Sequence, residues 1–216
     1  MTDKNRSSLI DLITYLLFYG IILGLIIILI SQKILPWPFH VVRNLKQAYM
    51  TIGEYAPVLV LPILSLFWIH RAKLSLKDAF QWKFPSPITF LPGLILSLGY
   101  AGFILFYAMG PKRALPFWIP VIILSTVNSL TEEVVFRFTL FRLAKRTMPP
   151  WAANILQSTV YGIPHYPIGG LYFALFSFIY GLVLGLMTEK NESLVPAIIC
   201  HIIIDMGCIG IGILAC

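Results

Sequence analysis

From Leu12 to Gln32 the chain carries no charged side chain, and apolar runs of comparable length recur through to the C-terminus. Backbone N–H and C=O groups in lipid must be satisfied inside the segment that carries them, so runs of about 20 apolar residues admit helices and little else. The candidate spans are Leu9–Ile30, Tyr49–Ile69, Ile88–Met109, a long one at Phe117–Leu143, a short one from Trp151 to about Pro164, Leu171–Thr188 and Leu194–Leu214. Composition agrees: 58% of the 216 residues are hydrophobic, 12% are charged and the mean hydropathy is +0.85, too apolar for a soluble domain to expose to water. The predicted fold class is all-α, a polytopic transmembrane helix bundle of about seven spans.

Prolines and glycines punctuate these runs, at Pro36-Trp-Pro38, Pro85-Ser-Pro87, Gly110-Pro111, Pro149-Pro150 and Pro167 to Gly170. Trp37, Trp68, Trp82, Trp118 and Trp151 fall near span ends, as an interfacial aromatic belt would place them. The run at Leu9–Ile30 is too long for a signal peptide and has no small-residue cleavage site, so it is expected to stay as the first helix. Seven spans put Lys4, Arg6, Arg71, Lys73, Lys77, Lys83, Arg142, Lys145, Arg146 and Lys190 on one side and Lys33, Arg43, Lys46, Lys112 and Arg113 on the other. Ten basic residues against five predict a cytoplasmic N-terminus.

That asymmetry also accounts for the net charge of +7 without nucleic acid, because no basic patch is interleaved with stacking aromatics. Cys200, Cys208 and Cys216 fit neither a disulfide framework nor a C-x-x-C site. Gly20, Gly24, Gly181, Gly185, Gly207 and Gly212 read as positions of close helix packing.

One span is interrupted by ionisable residues, in Ser129-Leu-Thr-Glu-Glu-Val-Val-Phe-Arg137. A charge at bilayer depth costs at least a few kcal/mol, so such groups face a bundle interior or a water cavity and mark function. Glu132 and Glu133 lie about 100° apart on an α-helix and are expected to face different ways. Arg137, four residues after Glu133, suits a carboxylate–guanidinium pair, which leaves Glu132 to act as a general base. Two further interruptions are Tyr161-Gly-Ile-Pro-His165 and His201-Ile-Ile-Ile-Asp205. Counted at about 1.5 Å per residue from the proposed cytoplasmic ends, Glu132, His165, His201 and Asp205 lie at depths of roughly 10 to 21 Å on one side, so they can converge. A carboxylate base, two histidines and a buried polar cavity suit activation of water for attack on a carbonyl within the membrane. No G-x-S-x-G elbow is present, and Ser125, Ser129 and Ser158 read as interhelical hydrogen-bonding residues.

Glu132-Glu133-x-x-x-Arg137, Tyr161-x-x-x-His165 and His201-x-x-x-Asp205 resemble, in order, the three motifs of the CPBP (Abi-like) intramembrane proteases. That family includes type II CAAX prenyl endopeptidases and bacterial proteins of bacteriocin processing and self-immunity. The resemblance runs from about Leu115 to the C-terminus. It divides the chain into N-terminal transmembrane helices with basic loops (1–114) and a catalytic helical core (115–216) within one integrated membrane domain. It implies that Glu132 activates water with help from His165, that Arg137 holds Glu133, and that His201 and residue 205 stabilise the oxyanion.

Two positions depart from the family pattern. Tyr161 stands where phenylalanine is usual, and Asp205 where the prenyl-processing members carry asparagine. A carboxylate accepts hydrogen bonds and repels negative charge, so Asp205 suits an oxyanion site poorly. It also leaves zinc, held by Glu132, His165, His201 and Asp205, as an alternative to a cofactor-free glutamate mechanism. The implied substrate is a membrane-embedded or lipidated peptide or protein, CAAX-type or bacteriocin-like. The implied location is the cytoplasmic (inner) membrane of a bacterium. Two other functions stay open: a non-catalytic immunity or scaffold protein, and a proton-coupled transporter using the same groups as a relay.

Overall fold

In the computed structural model the backbone is described for residues 3–36, 42–108 and 115–214, and side chains for 6–36, 42–106 and 116–210. Trp37, Pro38, Met109 to Arg113 and Cys216 therefore lie outside the described residues, and Gly212 outside those whose packing is described. Every regular element among the described residues is helical. The order is α1 (Asp3–Ser31), α2 (Leu45–Glu54), α3 (Val60–Arg71), the short α4 (Leu76–Ala79), α5 (Pro87–Ala108), α6 (Trp118–Glu132), a π-helical segment (Glu133–Leu140), α7 (Phe141–Ala144), α8 (Pro150–Gly162), α9 (Tyr166–Asn191) and α10 (Val195–Leu214).

Among the described residues five stretches are long and apolar enough to cross a membrane, the last of them Pro150–Asn191, and Val195–Gly210 is a shorter apolar helix. The stretch Pro150–Asn191 is a hairpin. Its backbone leaves helical geometry at Gly169 and Gly170, and Gly170 takes φ +72°, a conformation that costs a residue without Cβ nothing. Beyond that reversal, Gly181 packs against Ser158 and Gly185 against Asn154 and Gln157, which sets α9 antiparallel to α8. The expected fifth and sixth spans are thus the two arms of one hairpin. The expected second span lies within one of these stretches, Leu45–Arg71, and carries a 3-10 turn, Ala56–Leu59, between α2 and α3, where Pro57 has no N–H for the α-helical ladder.

Ile21, Ile63 and Ile95 leave more than 60% of their surface exposed, an outer face suited to lipid. Gly20 and Gly24 lie on that outer side with nothing near their missing Cβ atoms, so their G-x-x-x-G is not a packing seam in this chain. Gly207 is a close contact of α10 with α5, since a Cβ there would stand 2.7 Å from the Ala101 Cα. Gly207→Ala is accordingly expected to destabilise the fold by about 1–3 kcal/mol and lower the melting temperature in detergent, whereas Gly20→Ala leaves it unchanged.

Trp82 and Trp151 are exposed near helix ends, as an aromatic belt requires. Trp68 departs from that expectation. It is buried edge-to-face against Tyr15 and donates Nε1–H to Thr14 Oγ1 at 3.3 Å. Cys200 and Cys208 are free thiols.

One end of the bundle gathers the loops that the sequence assigns to a common side. Arg71 pairs with Asp11 at 2.6 Å, Lys83 with Glu192 at 3.1 Å and Lys145 with Glu189. Arg146 donates to the Ala72 carbonyl at 2.5 Å.

Candidate active site

The π-helical segment begins at Glu133, in a stretch whose Val134, Val135 and Thr139 are β-branched and weak helix formers. Its widened turn is held from within and without. Thr139 Oγ1 donates to the Val134 carbonyl five residues back at 2.8 Å, and Tyr15 of α1 donates to the Val135 carbonyl at 2.9 Å. Short π-helical turns inside helices are frequent at functional sites.

This segment and α10 meet at His201. Glu133 Oε1 lies 2.7 Å from His201 Nδ1 and 3.2 Å from Arg137 Nη1, all three side chains being essentially without exposure. Glu132 Oε2 approaches the other ring nitrogen, Nε2, at 3.3 Å. The two glutamates therefore share one partner, contrary to the expectation that they face different ways. A 100° separation still lets neighbouring carboxylates reach opposite edges of one imidazole lying between them.

Proton bookkeeping is tight here. A carboxylate only accepts hydrogen bonds, so Nδ1 carries a proton toward Glu133, while Nε2 has the Tyr161 hydroxyl at 3.3 Å beside it as well as Glu132 Oε2. The Arg137 guanidinium lies 4.1 Å over the Tyr161 ring, a cation–π contact.

Asp205, one turn beyond His201, receives the Asn128 amide and the Ser129 hydroxyl on Oδ2, both at 2.8 Å, and stands 3.7 Å from His201 Nε2. Tyr55, between α2 and α3, donates to Asn128 Oδ1. Ser129 thus makes an interhelical hydrogen bond, whereas Ser125 Oγ is buried without a partner.

His165 stands apart from the carboxylates. Its Nδ1 donates to the Tyr161 carbonyl at 2.8 Å, which leaves Nε2 as the nitrogen able to take a proton. With Glu132 it lines a cavity of about 110 Å³, whose wall also includes Tyr19, Ile27, Tyr55, Asn128 and Pro167. The cavity shares Leu23, Ile27, Pro164 and Pro167 with an apolar groove on the outer surface. Glu132 keeps 17% of its side chain exposed, against none for Glu133, and so is the carboxylate that can meet a water from the cavity.

The structure thus brings Glu132, Glu133, Arg137, His201 and Asp205 into one contact network and sets His165 on the lining of the cavity that Glu132 also borders. Both nitrogens of His201 already face carboxylate oxygens, and among the described residues no three His, Cys, Asp or Glu side chains are placed to hold a metal ion. Tyr55 and Asn128 were not singled out from the sequence. Asn128 had a legible signal, being one helical turn before Glu132 on the same face. Tyr55 had none, since its contact crosses the bundle.

No curated protein and no solved structure matches the chain. Residues 114–207 do match a family model, Rce1-like, described as type II CAAX prenyl endopeptidase Rce1-like. The matched residues contain all three motifs and each of the six clustered side chains. Over this core the chain is similar to the Rce1-like type II CAAX prenyl endopeptidases.

Proposed function

We propose that the chain is an intramembrane endopeptidase in which Glu132 activates the attacking water without a metal. The observation that carries this reading is the Glu132 carboxylate on the wall of a cavity that His165 also lines, with Oε2 3.3 Å from His201 Nε2. Glu132 takes a proton from the water as its oxygen bonds to the substrate carbonyl carbon. The carbonyl electron pair moves onto oxygen to give a tetrahedral oxyanion. When that intermediate collapses, the C–N bond breaks and the departing amine takes the proton back from Glu132, leaving a new carboxylate and a new amino group. His165 Nε2 hydrogen-bonds the water and keeps it in line. Glu133 and Arg137 fix the His201 ring that holds Glu132.

The apolar groove leading to the cavity supports a substrate that arrives from the lipid, CAAX-type or bacteriocin-like. The cluster of basic loops at one end supports a cytoplasmic N-terminus. The test is incubation of the purified chain in detergent with a pool of fluorogenic apolar peptides that includes a farnesylated CAAX peptide, with and without a zinc chelator. Cleavage indifferent to the chelator is expected. Cleavage abolished by the chelator and restored by zinc would replace the glutamate mechanism. No cleavage dependent on Glu132 would leave a scaffold or transporter in its place.

A further inference from the structure

The geometry points to Asn128 as the hydrogen-bond donor to the substrate oxyanion, with Tyr55 as its positioning residue; this rests on the endopeptidase reading above. The carboxamide is fixed at both ends. Its oxygen accepts from the Tyr55 hydroxyl and its nitrogen donates to Asp205 Oδ2 at 2.8 Å. Only this orientation matches donors with acceptors, because Asp205 offers acceptors and a tyrosine that donates to Asn128 has spent its one hydrogen.

An amide nitrogen carries two hydrogens, and Asp205 takes one of them. Asn128 is 6% exposed and lies on the same cavity wall as Glu132, one helical turn away. A carbonyl placed between the two residues meets the water held by Glu132 on its carbon and the second Asn128 N–H on its oxygen. Asp205 cannot serve this purpose itself, since its Oδ2 already accepts two hydrogen bonds and an added negative charge beside it would be repelled. It holds the donor in place. Rigid donors aimed at developing charge lower the barrier without reorganisation at the moment of reaction, and removing one such donor costs about 10²–10³ in kcat.

The experiment measures kcat and KM on the best-cleaved peptide of the pool, and affinity for its phosphinate analogue, in wild type, Asn128→Leu, Tyr55→Phe and Glu132→Gln. Asn128→Leu is expected to lower kcat by about 10²–10³ with KM within threefold, and to weaken phosphinate binding by a similar factor. Tyr55→Phe keeps the amide and loosens it, so kcat falls by about tenfold with phosphinate affinity in proportion. A role limited to packing would not single out the tetrahedral analogue. If Asn128→Leu fails to fold, Tyr55→Phe carries the same test. Either folded variant retaining wild-type kcat and phosphinate affinity, while Glu132→Gln is inactive, overturns this inference and leaves the endopeptidase reading intact. Equal activity in wild type and Glu132→Gln overturns both.

Discussion

Glu132→Gln is expected to lower peptide cleavage by about 10²–10⁴-fold, the usual contribution of a positioned general base, with little change in KM or melting temperature. The separation of rate from stability follows from where the side chain sits. Gln keeps the shape of Glu and can hold the 3.3 Å contact that Glu132 Oε2 makes with His201 Nε2, so the network around the ring survives. What disappears is the ability to take a proton from water. Glu133→Gln behaves differently, because that carboxylate has no exposure and is committed to His201 and Arg137. Its effect on rate comes through the tilt of the His201 ring, so kcat falls less than in Glu132→Gln.

The second large effect is on stability. Arg137→Leu removes the guanidinium from a fully buried pair and leaves Glu133 facing an apolar side chain, which is expected to cost about 3–5 kcal/mol. Thermal unfolding in detergent measures this directly. The double variant Glu133→Gln with Arg137→Leu removes the stranded charge while the new carboxamide oxygen still accepts from His201 Nδ1, so it recovers a substantial part of the loss. A double variant as unstable as the sum of both singles would mean that Arg137 acts through packing over Tyr161 rather than through charge.

The bundle was legible because lipid leaves few choices: apolar runs of helical length, ended by proline and glycine, name their own elements. The E-x-x-x-R and H-x-x-x-D spacings were legible for a similar local reason, since residues four apart share a helical face whatever the tertiary fold does. What escaped was set by contacts between distant segments. The π-helical turn after Glu132 is stabilised by Tyr15 of the first helix, and nothing within Glu133–Leu140 announces that bond. The approach of both glutamates to one imidazole depends on where α10 places His201. Gly20 and Gly24 show the opposite error, a pattern legible in sequence that meets no partner in the fold. Asp205 is instructive in the same way. Its chemistry alone made it a poor oxyanion donor, and only the fold brings the Tyr55–Asn128 pair against it.

The central claim is that water, and not a protein side chain, attacks the substrate. The most direct measurement is a single turnover in H₂¹⁸O with the chain in excess over one cleavable peptide, followed by mass analysis of the new C-terminal carboxylate and of the protein segment carrying Glu132. Water activated by Glu132 puts one ¹⁸O into the product and none into the protein. An unlabelled first-turnover product with ¹⁸O in Glu132 would show that the carboxylate attacks as a nucleophile and would contradict the mechanism.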